Sequence, residues 1–121
     1  MFSVILYEPE IPPNTGNIIR LCANAGANLH LVEPLGFDLE EKKLRRAGLD
    51  YGEFVNVRTH TSLDSCLAAL DWPRLFALST KNSTRYDQAI FRAGDALLFG
   101  PETRGLPVEV LNSLSAEQRL R

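Results

Sequence analysis

Short apolar runs alternate with stretches of helical periodicity along the chain, an order that predicts a parallel α/β sheet. Phe2–Tyr7 (FSVILY) is a continuous apolar run of buried-strand length. Glu8–Pro13 follows as a loop, because Pro12 and Pro13 suit neither a ladder nor a helix interior. Asn14 stands where it can cap a helix reaching about Ala25. Ile18, Leu21, Cys22 and Ala25 would share one face of that helix, and Gly26 would stop it. Leu29–Val32 reads as a second strand and Pro34–Gly36 as a turn. Asp38 and Glu41 have capping-box spacing for a short helix through Ala47, ended by Gly48. Phe54–Val57 is a third strand candidate, and Thr61 with Asp64 predicts a helix through Leu70. Arg74–Ser79 (RLFALS) and Ala96–Gly100 (ALLFG) complete the strands. A helix start at Pro107 then gives way to a polar stretch ending at Arg121. Repeats, low-complexity tracts and linkers are absent from the sequence.

Composition narrows the class. A length of 121 residues suits one domain and leaves no room for a second core. With 45% hydrophobic and 23% charged residues, disorder is excluded as the main state. No apolar run approaches the roughly 20 residues of a membrane helix, and MFSVILYEPE lacks the basic start of a signal peptide. Together these predict a soluble, cytoplasmic protein. Thirteen Lys and Arg against 15 Asp and Glu give a net charge of −2, which excludes a basic coat but not a local basic patch. Cys22 and Cys66 stand far apart among apolar residues, without a C-x-x-C. With only His30 and His60 beside them, no metal site is expected.

In a parallel sheet, ligands gather at the carboxyl ends of strands. The loops expected there are Glu8–Gly16, Ser79–Thr84 and Gly100–Gly105. In P-P-N-T-G-N-I-I-R (12–20), Gly16 and Asn17 would lie in a first helical turn, where free amides favour an anion. Arg20 brings a planar fork suited to phosphate or a ribose edge. A capped helix with one surface arginine explains the same residues. In L-F-G-P-E-T-R-G-L-P (98–107), Gly100 would let a ligand approach bare backbone and Gly105 can take positive φ. A tight strand-to-helix turn is the alternative. In K-K-L-R-R (42–46), Lys42 and Arg46 share a helix face that could bind phosphates or simply be solvated. Dinucleotide, P-loop and hydrolase-elbow signatures are missing from the sequence.

Taken together, the two loop motifs resemble the SPOUT family of RNA methyltransferases, in its TrmH-like branch. Asn14-x-Gly16-Asn17-x-x-Arg20 carries the first signature. Leu98-Phe99-Gly100-Pro101-Glu102-x-x-Gly105-Leu106 carries the second. YEPEIPPNTGNIIRLCAN, KKLRRAGLDY and FGPETRGLP extend the likeness through essentially the whole chain. The resemblance implies a Rossmann-like α/β fold of the SPOUT (α/β-knot) type and a homodimer. It implies S-adenosyl-L-methionine-dependent 2′-O-methylation of the ribose at the tRNA wobble nucleotide, position 34 of leucine tRNAs, without a metal or a membrane. Arg20 and Asn14 match catalytic positions. Leu78, Ser79, Thr80, Gly100, Pro101, Glu102 and Gly105 match cofactor contacts, and Asn17, Lys43, Arg45, Arg46 and Tyr51 are RNA-facing candidates. Family members carry a third, serine/asparagine-rich segment that completes a trefoil knot, and this sequence stops at Arg121 before it. Residues 1–121 therefore read as one such domain, cut before that motif. The competing readings are a non-catalytic dimerisation or RNA-binding fragment, and a small-ligand α/β protein unrelated to RNA.

Overall fold

The computed structural model describes residues 2–35, 57–79 and 90–120. The helix expected at 38–47, strand residues 54–56, and Thr80, Lys43, Arg45, Arg46 and Tyr51 lie outside the described residues. The elements in chain order begin with β1 (Ser3–Tyr7), α1 (Pro12–Ala25), β2 (Asn28–Val32), β3 (Val57–His60) and α2 (Leu63–Ala69). They continue with β4 (Leu75–Leu78), β5 (Ala96–Phe99), α3 (Val108–Asn112), a 3-10 turn (Ala116–Gln118) and β6 (Arg119–Leu120). Six strands form one sheet in the order β3-β2-β1-β5-β4-β6, and every described pairing is parallel.

Strands buried on both faces need apolar residues throughout, which is why SVILY, LFAL and ALLF read so plainly. On one face Leu6, Leu29 and Leu31 pack beneath Ile19 and Cys22 of α1. On the other, Ile5, Val32, Ala77 and Leu98 pack beneath Cys66, with Leu63 and Leu67 of α2 and Val110 and Leu111 of α3 around them. At the amino ends of β4 and β5, Asp95 accepts from Arg74 (Nε 3.0 Å, Nη2 2.6 Å) and from the Arg92 amide at 2.6 Å. This clamp ties β4 to the turn entering β5, at the end of the sheet opposite the carboxyl-end loops.

Several expectations shift. Asn14 does not cap α1: the helix starts at Pro12, with Ile11 at the N-cap and prolines at the first two positions. First-turn amides have no helical partner, so proline loses nothing there. The buried stripe of α1 is Thr15, Ile19 and Cys22, whereas Leu21 is 66% exposed. Gly26 ends the helix at φ 75°, as expected. Among the described residues β3 runs Val57–His60, past the end expected for it, because VRTH is a polar strand without an apolar signal. Ser62, not Thr61, caps α2 through a reciprocal box with Ser65. The polar tail after α3 hides a strand: Leu120 is wholly buried and pairs with Leu78.

Candidate active site

β1 and β5 lie side by side, but the chains leaving them depart to opposite faces, β1 into α1 and β5 into α3. Such a reversal opens a crevice at the carboxyl ends of the strands. A cleft of about 380 Å³ lies there, within the usual range for small-ligand sites. Leu6 and Pro9 line it from β1 and the following loop, Asn14, Asn17 and Ile18 from α1, and Phe99, Gly100 and Glu102 from β5 and the loop after it. Both sequence motifs therefore meet in one cleft, although some 80 residues separate them along the chain.

Reciprocal hydrogen bonds stitch the two motif loops together. The Glu10 amide donates to Glu102 Oε2 at 2.8 Å. Glu10 in turn accepts from the Thr103 amide at 2.9 Å and from the Thr103 hydroxyl at 2.7 Å. Arg104 closes the latch, donating to Glu8 Oε1 at 3.3 Å, with its Nε 3.5 Å from Glu10 Oε2. The Thr103 amide and hydroxyl, helped by Arg104, hold the Glu10 carboxyl below the usual carboxylate range. Burial at the end of β1, together with the Glu8 carboxylate, pushes the Tyr7 phenol up. The sequence marks Glu8–Gly16 as a ligand-side loop but gives no role to Glu8, Glu10 or Thr103. The signal available was a pair of carboxylates flanking a proline immediately after a buried strand.

Among the described residues, each expected site residue has a definite place. Asn14 and Asn17 are exposed, one turn apart, and face the cleft. Arg20 is half-buried one turn beyond Asn17, outside the cleft lining. Gly16 and Asn17 fall beyond the first turn, because the helix starts earlier than expected. The first two positions are prolines without N–H, and the Asn14 and Thr15 amides both donate to Ile11 O (3.1 and 3.2 Å). The helix end is therefore not the anion cradle that Gly16 and Asn17 suggested. Gly100 lines the cleft, but its bare Cα faces its own chain: a Cβ there would lie 2.6 Å from Leu106 N. Pro101 is buried and its carbonyl accepts from the Gly105 amide at 3.0 Å; Gly105 takes φ 71°. Leu78 and Ser79 end β4 outside the cleft lining, with the Ser79 amide donating to Leu120 O at 2.9 Å.

A six-stranded parallel sheet with a cleft where β1 and β5 diverge is the architecture of SPOUT methyltransferases. The profile of the SpoU rRNA Methylase family matches residues 1–120, and the chain belongs to that family of methyltransferases. A tRNA (cytidine(34)-2′-O)-methyltransferase of Methylovorus glucosotrophus (strain SIP3-4) is 58% identical over 121 residues, 100% of this chain and 79% of that protein. A solved structure reported as giving structural insights into the 2-OH methylation of C/U34 on tRNA is 49% identical, with TM-score 0.88. It is matched over 99% of this chain and 78% of its own. An AdoMet-bound rRNA methyltransferase from Sinorhizobium meliloti is 27% identical, with TM-score 0.78, over 99% of this chain and 47% of its own.

Proposed function

We propose that this chain transfers a methyl group from S-adenosyl-L-methionine to the ribose 2′-hydroxyl at position 34 of tRNA, in leucine tRNAs. In this reading residues 1–121 form one methyltransferase domain, which acts as a homodimer in the cytoplasm. The observation that carries the reading is the meeting of Asn14 and Asn17 with Gly100 and Glu102 across one cleft. The lining suits the cofactor. Leu6, Ile18 and Phe99 offer an apolar floor for a purine, and Glu102 places a carboxylate near a cationic ligand. When bound, the cofactor supplies a methyl group already activated by a positively charged sulfur.

The protein's own task is to hold the ribose and manage its proton. Asn14 and Asn17 can donate and accept hydrogen bonds at sugar hydroxyls. Arg20 offers only N–H donors and no acceptor atom. Its guanidinium serves better by stabilising the charge that develops on the 2′-oxygen, while water accepts the proton. Leu78, Ser79, Thr80, Pro101 and Gly105 belong with the cofactor in this reading, and Lys43, Arg45, Arg46 and Tyr51 with the RNA.

The test is methyl transfer from labelled cofactor to leucine tRNA, beside the same tRNA carrying a 2′-deoxynucleotide at position 34. Label should enter only the first. Arg20→Lys keeps the charge and loses the fork, and should slow turnover about a hundredfold. Near-normal turnover in that variant contradicts the assigned role. RNA binding without label in either tRNA favours a non-catalytic RNA-binding module instead.

A further inference from the structure

On the sheet face opposite α1, away from the cleft, three potential metal ligands converge from three elements. His30 comes from the middle of β2, His60 from the end of β3, and Cys66 from α2. The register explains why. His30 pairs with Arg58, so His60, two residues further along β3, stands diagonally next to His30 on the same face. Cys66 points down from α2 into the core beneath that helix. One donor atom from each residue lies within 4.8 Å of the other two.

The pair is built tightly. His30 Nδ1 and His60 Nε2 are 2.8 Å apart, and the rings stack with centroids 5.1 Å apart at 28°. His30 is 95% buried, yet its Nε2 has no hydrogen-bond partner. The other nitrogen, Nδ1, is the one that faces His60 and would meet an ion between the rings. Cys66 is wholly buried, whereas His60 is half-buried and gives the cluster a route to solvent. Burial, the His60 ring and Arg58 push His30 down to about 4. Burial pushes the Cys66 thiol up to about 11.

We propose that His30, His60 and Cys66 form a binding site for a thiophilic d¹⁰ cation of the zinc class. Two imidazole nitrogens and one sulfur are the donor set such ions select, and three protein ligands leave a fourth position for water. Ligand bonds of about 2.0–2.3 Å at tetrahedral angles require the two ring nitrogens to part slightly from 2.8 Å and the sulfur to reach the ion between them. The ion would take the place of the hydrogen bond between the two rings. Each imidazole binds through a lone pair and keeps its single proton on the other nitrogen. Cys66 releases its proton, so one proton leaves per ion bound. Arg58 beside the histidines repels a cation, and the thiolate offsets that charge. A bound ion would pin the edge strand β3 and the helix α2 to the core. The site lies on the other face of the sheet from the cleft and takes no part in methyl transfer.

The experiment uses the 121-residue chain, stripped with chelator and titrated with Co²⁺ and then Zn²⁺. The expected result is one Co²⁺ per chain, with a thiolate-to-cobalt charge-transfer band and tetrahedral d–d bands, both displaced by Zn²⁺. Cys66→Val keeps an apolar side chain of similar size, and His60→Gln alters a half-buried position. Each should weaken binding at least about tenfold, since even changes behind the ligands cost that much. Cys22→Ala, in the other core, should leave binding unchanged. Absence of the charge-transfer band in the unaltered chain, or binding that survives Cys66→Val or His60→Gln, overturns the proposal. Should a variant fail to fold, alkylation of the unaltered chain decides instead. Zn²⁺ must protect Cys66 and not Cys22, and equal protection or none sinks the site.

Discussion

A Cβ built on Gly100 would lie 2.6 Å from Leu106 N and 2.8 Å from the Gly105 carbonyl carbon. Both obstacles are backbone, so no side-chain rotation relieves them. Gly100→Ala should therefore destabilise the fold by roughly 1–3 kcal/mol, the range for overpacking a tight site. It should also push Glu102 out of reach of the Glu10 amide. Denaturant unfolding measures the first effect, and the amide exchange rate of Glu10 measures the second. An alanine variant as stable as the parent would show that the loop can give way. The same residue marks the limit of what sequence alone allows. A glycine between a buried strand and a proline announces a close approach, and the motif reading picked it out. Whether the neighbour is a ligand or the chain itself depends on where residues 105 and 106 return, which no local pattern contains.

At the level of elements, two connections decide the shape of the cleft: the loop from β1 to α1 and the loop from β5 to α3. Their latch depends on Glu10 being charged. The Thr103 amide and hydroxyl, with Arg104, hold that carboxyl below its ordinary value of 4.5, so the folded state binds the proton less readily than the unfolded one. The latch is then complete above that ordinary value and is lost as pH falls through the lowered one. The Thr103 amide resonance should titrate below pH 4.5, and should stop titrating in Glu10→Gln. A titration of Thr103 that persists in the glutamine variant removes Glu10 from the latch. The strand β6 is a second test of elements. Leu120 is wholly buried against β4, so Leu120→Ala should cost about 2 kcal/mol or more in denaturant unfolding. The long apolar strands were legible because both of their faces are covered. β6 escaped because a two-residue strand offers one apolar side chain and no period. The Glu10–Thr103 contact escaped because its partners stand 93 positions apart in the chain. The His30, His60 and Cys66 cluster escaped because its spacing follows sheet register and helix packing rather than any repeat along the chain.

For the whole molecule, the proposed function asks how a chain of net charge −2 would hold a polyanion. Total charge acts at long range, whereas affinity for RNA comes from cations placed against phosphates. Arg20 on α1 and the run Lys42, Lys43, Arg45 and Arg46 supply cations in two short stretches, while the acidic residues Glu8, Glu10 and Glu102 are drawn into the latch, Glu102 at the wall of the cleft. A symmetric pair would double the cations along one groove without changing the sign of either protomer. Each phosphate contact releases counterions, so binding through several of them weakens steeply as salt rises. The affinity for tRNA should fall at least about tenfold between about 50 and 200 mM salt. Replacing Lys43, Arg45 and Arg46 with glutamine should flatten that slope and weaken every tRNA alike, since phosphate contacts carry no sequence information. Fluorescence anisotropy with labelled tRNA at several salt concentrations, repeated on the glutamine variant, measures both effects. A flat response in the parent chain would mean that phosphates do not hold the partner, and the assignment of tRNA as substrate would fail with it. A steep response left unchanged in the variant would place the electrostatic contact elsewhere, with Arg20 and the exposed face of α1 the next surface to neutralise.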